Sequence, residues 1–154
     1  MKKSIISVDE IKYALKEIVK QIDISGFNPE IIVSINRGGC IPGVYLSHFL
    51  NKPHKMVDIK SIDNQKISVN TLKKFKSALI IDDINDTGKT FTIVKETFDN
   101  TNADIRYAAL INNISSKTKI ELILIDNSNI SPSLLENSFV PINFLISFLN
   151  LTSS

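Results

Sequence analysis

Short, apolar, β-branched runs alternate with segments of helical periodicity along most of this chain, and that alternation restricts the fold more than any other feature. Glu30-Ile31-Ile32-Val33-Ser34-Ile35 has almost no polar face, the pattern of a strand buried on both sides in a parallel sheet. Ser77 to Ile81 repeats it, and Met56–Ile59, Ile105–Ile111 and Ile120–Ile125 read as further strands. Between them Ile41–Leu50 and Phe91–Phe98 have helical spacing, with Pro42 tolerable in a first turn. A first helix is predicted over about residues 8 to 23. Ser7-Val8-Asp9-Glu10 forms a capping box, and Ile11, Ala14, Leu15, Ile18, Val19 and Ile22 follow at helical spacing. Gly26 and Pro29 end it. Strands alternating with helices in this way predict one α/β domain over residues 1–154, built on a mostly parallel twisted sheet flanked by helices. After Asp126 the pattern becomes irregular, with Pro132 and Pro141 limiting regular structure. Residues 126–154 are expected to form a small C-terminal hood beside the sheet's carboxyl edge.

Composition excludes several classes of function. Eighteen basic and 16 acidic side chains give a formal charge of +2, too even for a nucleic-acid binder or a polybasic membrane anchor. The single cysteine, Cys40, rules out an internal disulfide framework and fits a reducing compartment; at the apolar start of a helix it is expected to be a small buried residue. MKKSIISVDE turns acidic before an apolar core of signal-peptide length appears. No run of about 18 apolar residues exists to cross a bilayer. The expectation is a cytoplasmic protein without a membrane span. His48 and His54 lack a Cys or carboxylate at ligand spacing, so no zinc site is expected.

In an open parallel sheet, ligands bind beyond the carboxyl ends of the strands. The segment Asp82-Asp83-Ile84-Asn85-Asp86-Thr87-Gly88-Lys89-Thr90 lies there, after a buried strand. Asp86 to Thr90 is a small-residue turn opening a helix, which presents free amides and the positive end of the helix dipole to an anion. Three carboxylates within five residues would repel a bare phosphate. They suit a ligand with a phosphate at one end and hydroxyls or a metal in the middle, as in a sugar phosphate. The plainer alternative makes Asp82 and Asp83 turn formers and Asp86 or Thr87 a helix cap. A nucleotide P-loop is excluded, because Gly88 stands alone before Lys89.

This segment resembles the phosphoribosyl pyrophosphate (PRPP) fingerprint of type I phosphoribosyltransferases: apolar residues, two acids, two variable residues, then Asp-Thr-Gly-Lys-Thr. The resemblance implies that Asp82 and Asp83 engage the ribose hydroxyls and Mg²⁺, with Asp83 the expected metal contact. It implies that Asp86 to Thr90 hold the 5′-phosphate, with the variable Ile84 and Asn85 inside the binding segment. It places Asp86 beside the incoming base as a proton acceptor or hydrogen-bond partner. Asp before Thr-Gly is the pattern of the 6-oxopurine branch, which uses hypoxanthine, guanine or xanthine.

Of 18 basic residues only Arg37 and Arg106 are arginine. Arg37-Gly38-Gly39 follows the first core strand and resembles the pyrophosphate loop of bacterial xanthine-guanine enzymes. An Arg offers a fork of donors for phosphate oxygens, and the glycines let amides approach. The resemblance also implies a non-proline cis peptide after Asn36 or Arg37. Ser61-Ile62-Asp63-Asn64-Gln65-Lys66 resembles the mobile loop of these enzymes, with Lys66 closing over pyrophosphate; a plain solvated loop is the alternative. Phe139-Val140-Pro141-Ile142-Asn143-Phe144 matches a late aromatic pair in which Phe139 would stack on the base and the Val140 backbone would read its edge, unless both are core residues of the hood. Asn112 stands where the family places a Lys that donates to the 6-oxo group. The tail Phe144–Leu149 is expected in the core or a subunit interface, and the protein is expected to be a homodimer or homotetramer. Together these features predict a purine salvage enzyme with Asp86, Arg37 and Lys66 as its catalytic groups. The alternatives are a non-catalytic regulator that senses PRPP, or a transferase with another acceptor base.

Overall fold

The computed structural model describes residues 7–59, 74–98, 101–113, 115–120 and 122–126. Lys66, the whole 61–66 loop, Phe139, Val140 and nearly all of the expected hood lie outside these residues. No helix among the described residues is long and apolar enough to cross a membrane.

Helix α1 runs from Val8 to Ile24. Its capping box forms as predicted: the Ser7 hydroxyl accepts from the Glu10 amide, while the Ser7 amide donates to the Glu10 carboxylate at 2.7 Å. That backbone bond, with one from the Ser7 hydroxyl, holds the Glu10 carboxyl below its usual range. Strand β1 spans Ile31–Asn36, α2 Cys40–Leu50, β2 His54–Asp58, β3 Ser77–Asn85, α3 Lys89–Phe98, β4 Asp104–Asn112 and β5 Leu122–Asp126. All four strand pairings are parallel, in the order β2-β1-β3-β4-β5.

Apolar residues cover both faces of the central strands, and alternate side chains enter different cores. Ile31, Val33, Ile35, Ala78, Ile80, Tyr107 and Ala109 pack with Phe91, Val94 and Phe98 of α3. Ile32, Leu79, Ile81, Ala108 and Leu110 pack with Ile11, Leu15 and Ile18 of α1 and Leu46 of α2. β2 joins β1 on one side and β3 joins it on the other. The chain therefore reverses its winding direction at β1 and β3, and the crevice beyond their carboxyl ends is the switch point of the sheet.

Three strands differ from the sequence reading by more than one residue at an end. β2 begins at His54 rather than Met56, because His54 already pairs with Ile32 of β1. β5 covers Leu122–Asp126 rather than Ile120–Ile125. β3 continues past Ile81 to Asn85, since Asp82, Ile84 and Asn85 still pair with Ala109, Ile111 and Asn112. Asp82 and Asp83 are thus strand residues, which removes their reading as turn formers.

Candidate functional site

Two segments meet at the switch point. The first leaves β1 through Asn36, and the Asn36–Arg37 peptide bond is cis, as the resemblance implied. Arg37 is exposed. Gly39 then precedes α2, its amide donating to the Ile35 carbonyl at 2.9 Å. Neither glycine has room for a side chain. A Cβ on Gly38 would meet the Asp83 carboxyl, and one on Gly39 would meet the Ile81 carbonyl and lie 2.8 Å from the Ile35 carbonyl. The loop after β1 is pressed directly onto the acids of β3.

Asp82 is buried and Asp83 half-buried. The Asp82 carboxyl accepts from the Asp83 amide at 2.9 Å, and the Asp83 carboxyl from the Ile84 amide at 2.8 Å. Burial, and secondarily the neighbouring charge of Asp83, push the Asp82 carboxyl up to about 8. No group of three or more His, Cys, Asp or Glu side chains among the described residues could hold a metal unaided. A pair of hard carboxylates does fit Mg²⁺, which typically binds through one or two carboxylates plus substrate phosphates and water.

Beyond Asn85 the chain turns through Asp86, Thr87 and Gly88 into α3, with Gly88 in the left-handed region at φ 84°. The first amides of a helix have no intrahelical partner and sit at the positive end of its dipole. Thr87, Lys89 and Thr90 surround this end, and the Thr87 hydroxyl accepts from the Lys89 amide. Asp86 is exposed, and its Oδ1 accepts from Asn113 Nδ2 at 3.0 Å.

Two residues went unnoticed in the sequence, Ser116 and Thr118. Thr118 donates to the Gly88 carbonyl at 3.0 Å, and a Cβ on Gly88 would lie 2.6 Å from the Thr118 amide and 2.7 Å from the Ser116 hydroxyl. The available signal was the run of small hydroxyl residues just after β4. Asn85 is 1% exposed, with both ends of its amide engaged by Asn112, Ser116 and Thr118. Ile84 is half-buried between the acids and Asn85.

Cys40 is half-buried rather than buried, because it opens α2 beside exposed Asn36 and Met56; its Sγ lies 3.5 Å from Asn36 Oδ1 and 3.4 Å from Met56 Sδ. His54 is tied to Ser34 at 2.8 Å across β1 and β2.

A family model for the phosphoribosyl transferase domain matches residues 4–136. The chain belongs to that family. No curated protein is a significant match to this phosphoribosyltransferase. Among solved structures it is similar to a purine phosphoribosyltransferase from Pyrococcus horikoshii Ot3, at 22% identity and TM-score 0.66, over 92% of this chain and 98% of that one. It is similar to the xanthine-guanine-hypoxanthine phosphoribosyltransferase of Helicobacter pylori, at 19% identity and TM-score 0.68, over 96% and 97% of the chains. A hypothetical protein from Neisseria gonorrhoeae with bound ppGpp is 20% identical, with TM-score 0.67 over 82% and 84%. At these identities the likeness establishes a shared fold.

The raised Asp82 value gives this phosphoribosyltransferase a pH signature. From about pH 4, where an ordinary Asp ionises, to about pH 8, the folded chain keeps a proton that the unfolded chain releases. The resulting stability is full below that window and lost as pH rises through it. Asp82→Asn, which mimics the protonated form, is expected to gain thermal stability over the parent across the same interval in Mg²⁺-free buffer. Melting temperatures measured from pH 4 to 9 check this; a difference that does not change with pH would contradict it.

Proposed function

We propose that this chain transfers the phosphoribosyl group of PRPP to a 6-oxopurine, hypoxanthine, guanine or xanthine, and releases pyrophosphate. One observation carries the reading: the Asp82–Asp83 pair is in contact with the Arg37-Gly38-Gly39 loop and runs directly into the amide-rich start of α3. A ligand spanning pyrophosphate, ribose diol and 5′-phosphate meets a complementary group at each part. The names of the Pyrococcus and Helicobacter neighbours support the purine assignment.

In this reading the amides and hydroxyls of Thr87 to Thr90 hold the 5′-phosphate. Asp82 and Asp83 take the ribose hydroxyls and would hold Mg²⁺, which supplies charge neutralisation for the departing pyrophosphate. Arg37, with five N–H donors, orients the pyrophosphate and stabilises the negative charge that grows as its bond to the sugar breaks. Asp86 faces the imidazole edge of the base and takes its proton as the new nitrogen–carbon bond forms. Asn112 donates to the 6-oxo group. Lys66 closing over pyrophosphate, Phe139 stacking on the purine and the Val140 backbone at its edge complete the assignment, on the family pattern alone. A single domain over residues 1–154 with its hood, working in the cytoplasm as a homodimer or homotetramer, belongs to the same proposal.

A sensor that binds the ligand without chemistry is the second reading. It is favoured by the Neisseria neighbour, whose structure holds ppGpp, and by the uncharged Asn112 where the family pattern has Lys. Incubation with Mg²⁺, PRPP and, separately, xanthine, guanine, hypoxanthine, adenine, uracil and orotate distinguishes the two. Pyrophosphate release with 6-oxopurines alone is the expected result. Silence with every base, despite measurable PRPP binding, would replace the enzyme with the sensor.

A further inference from the structure

Asn85 is almost fully buried inside a strand, yet it is polar and holds no position where the chain must turn. A buried amide normally has a partner for each of its polar atoms, and here the partners fix which way it points. The Thr118 carbonyl can only accept a hydrogen bond. The side-chain atom of Asn85 that lies 2.9 Å from it must therefore be the donor, Nδ2. The Ser116 hydroxyl, 3.0 Å from the other end, satisfies Oδ1 by donating. With its orientation set by a backbone carbonyl, Asn85 presents the same Nδ2 to Asn112 at 2.7 Å. The facing atom of Asn112 must then be its acceptor, Oδ1. Nδ2 of Asn112 is left on the side away from Asn85. The two asparagines are direct neighbours across β3 and β4, at the carboxyl edge that also carries Asp86 and Asn113.

We propose that Asn85 is a positioning residue for base specificity. It clamps the Asn112 amide with its N–H₂ turned away from Asn85, so that the site selects a base carrying an acceptor at the recognised position and rejects one carrying an amino group. This rests on the 6-oxopurine reading above and deepens it. An unclamped Asn is a poor discriminator, because rotating its amide by half a turn exchanges donor for acceptor. A Lys cannot make that exchange. The Asn85–Thr118 carbonyl contact gives an uncharged side chain the same one-way character, and a mispaired buried donor is costly enough to discriminate between bases.

Two variants test the clamp, read as the ratio of kcat/KM for hypoxanthine to that for adenine at saturating PRPP. Asn85→Leu removes the orienting donor, and the ratio is expected to fall about tenfold as the Asn112 amide samples both orientations. Asn112→Asp keeps an oxygen facing Asn85 but replaces the donor turned away from it with an acceptor, and the ratio is expected to fall further, towards adenine. If Asn112→Asp changes the ratio and a folded Asn85→Leu does not, the clamp is wrong and the base site stands. If neither moves it in an enzyme that uses 6-oxopurines, the clamp is overturned and the activity stands. If the parent turns over no base, the enzyme reading and the clamp fall together. Side-chain amide hydrogen exchange in the parent supplies a readout independent of both activity and folding of a variant. The Asn85 N–H₂ is expected to exchange slowly and that of Asn112 rapidly, and the reverse order would overturn the proposal.

Discussion

Asp86→Asn is expected to cut turnover with a 6-oxopurine by at least about 100-fold, the usual contribution of a positioned acid or base, while leaving PRPP binding nearly intact. The side chain stands exposed at the point where β3 gives way to the turn before α3, three residues beyond Asp83. Its Oδ1 is engaged by Asn113, so Asn at this position keeps the size of the side chain and a partner for one end. What disappears is the charge and basicity that the proposed role at the base's proton requires. In the proposed reading, contacts to ribose and phosphate come from Asp82, Asp83 and the residues from Thr87 onward, which the substitution leaves in place. Initial rates beside calorimetric PRPP binding check this. Equal losses in both would mean that Asp86 grips the sugar phosphate, and its role at the base would be withdrawn.

Alanine at Gly39 and alanine at Gly38 are expected to fail in different ways. A Cβ at Gly39 runs into the carbonyls of Ile81 and Ile35, backbone atoms of two paired core strands. Neither can rotate aside, so relief requires β1 and β3 to move apart. The expected cost is about 3 kcal/mol, the upper end of ordinary overpacking, or a fall in melting temperature of roughly 6–12 °C for a chain of this size. At Gly38 the obstacle is the Asp83 carboxyl, the end of a side chain that can swing away. Gly38→Ala should therefore melt within a few degrees of the parent, yet bind PRPP with Mg²⁺ much more weakly, because Asp83 has been displaced. Thermal melts and Mg²⁺-dependent PRPP titrations of both variants separate the cases. A stable Gly39→Ala, or a Gly38→Ala with unchanged affinity, would contradict the packing described for this loop.

The elements that were legible in the sequence are those whose residues answer to one requirement. β1 and the first half of β3 are apolar on both faces because helices cover both faces, and α1 announces its start through Ser7 and Glu10. The second half of β3 was not legible, since Asp82, Asp83 and Asn85 are poor strand formers, and the strand continues through them because Asp82, Ile84 and Asn85 pair with β4. The two halves of the site could each be read locally as Arg37-Gly38-Gly39 and Asp82 to Thr90. Their contact through Gly38 and Asp83 depends on the strand order, which local pattern does not encode. The Asn85–Asn112 pair lies further still from view: two unremarkable amides, 27 positions apart, acquire meaning only through the carbonyl of Thr118.

The half-buried thiol at the start of α2 offers a practical handle. Cys40 is the one cysteine of the sequence, and it lies three residues beyond Arg37, against Asn36. A maleimide dye can therefore attach at a single place, beside the crevice and at its rim, with no engineered mutation. Burial pushes this thiol above its ordinary value, so coupling accelerates as the buffer is made more alkaline. The protein comes supplied with a fluorescent reporter position next to the crevice proposed to bind PRPP.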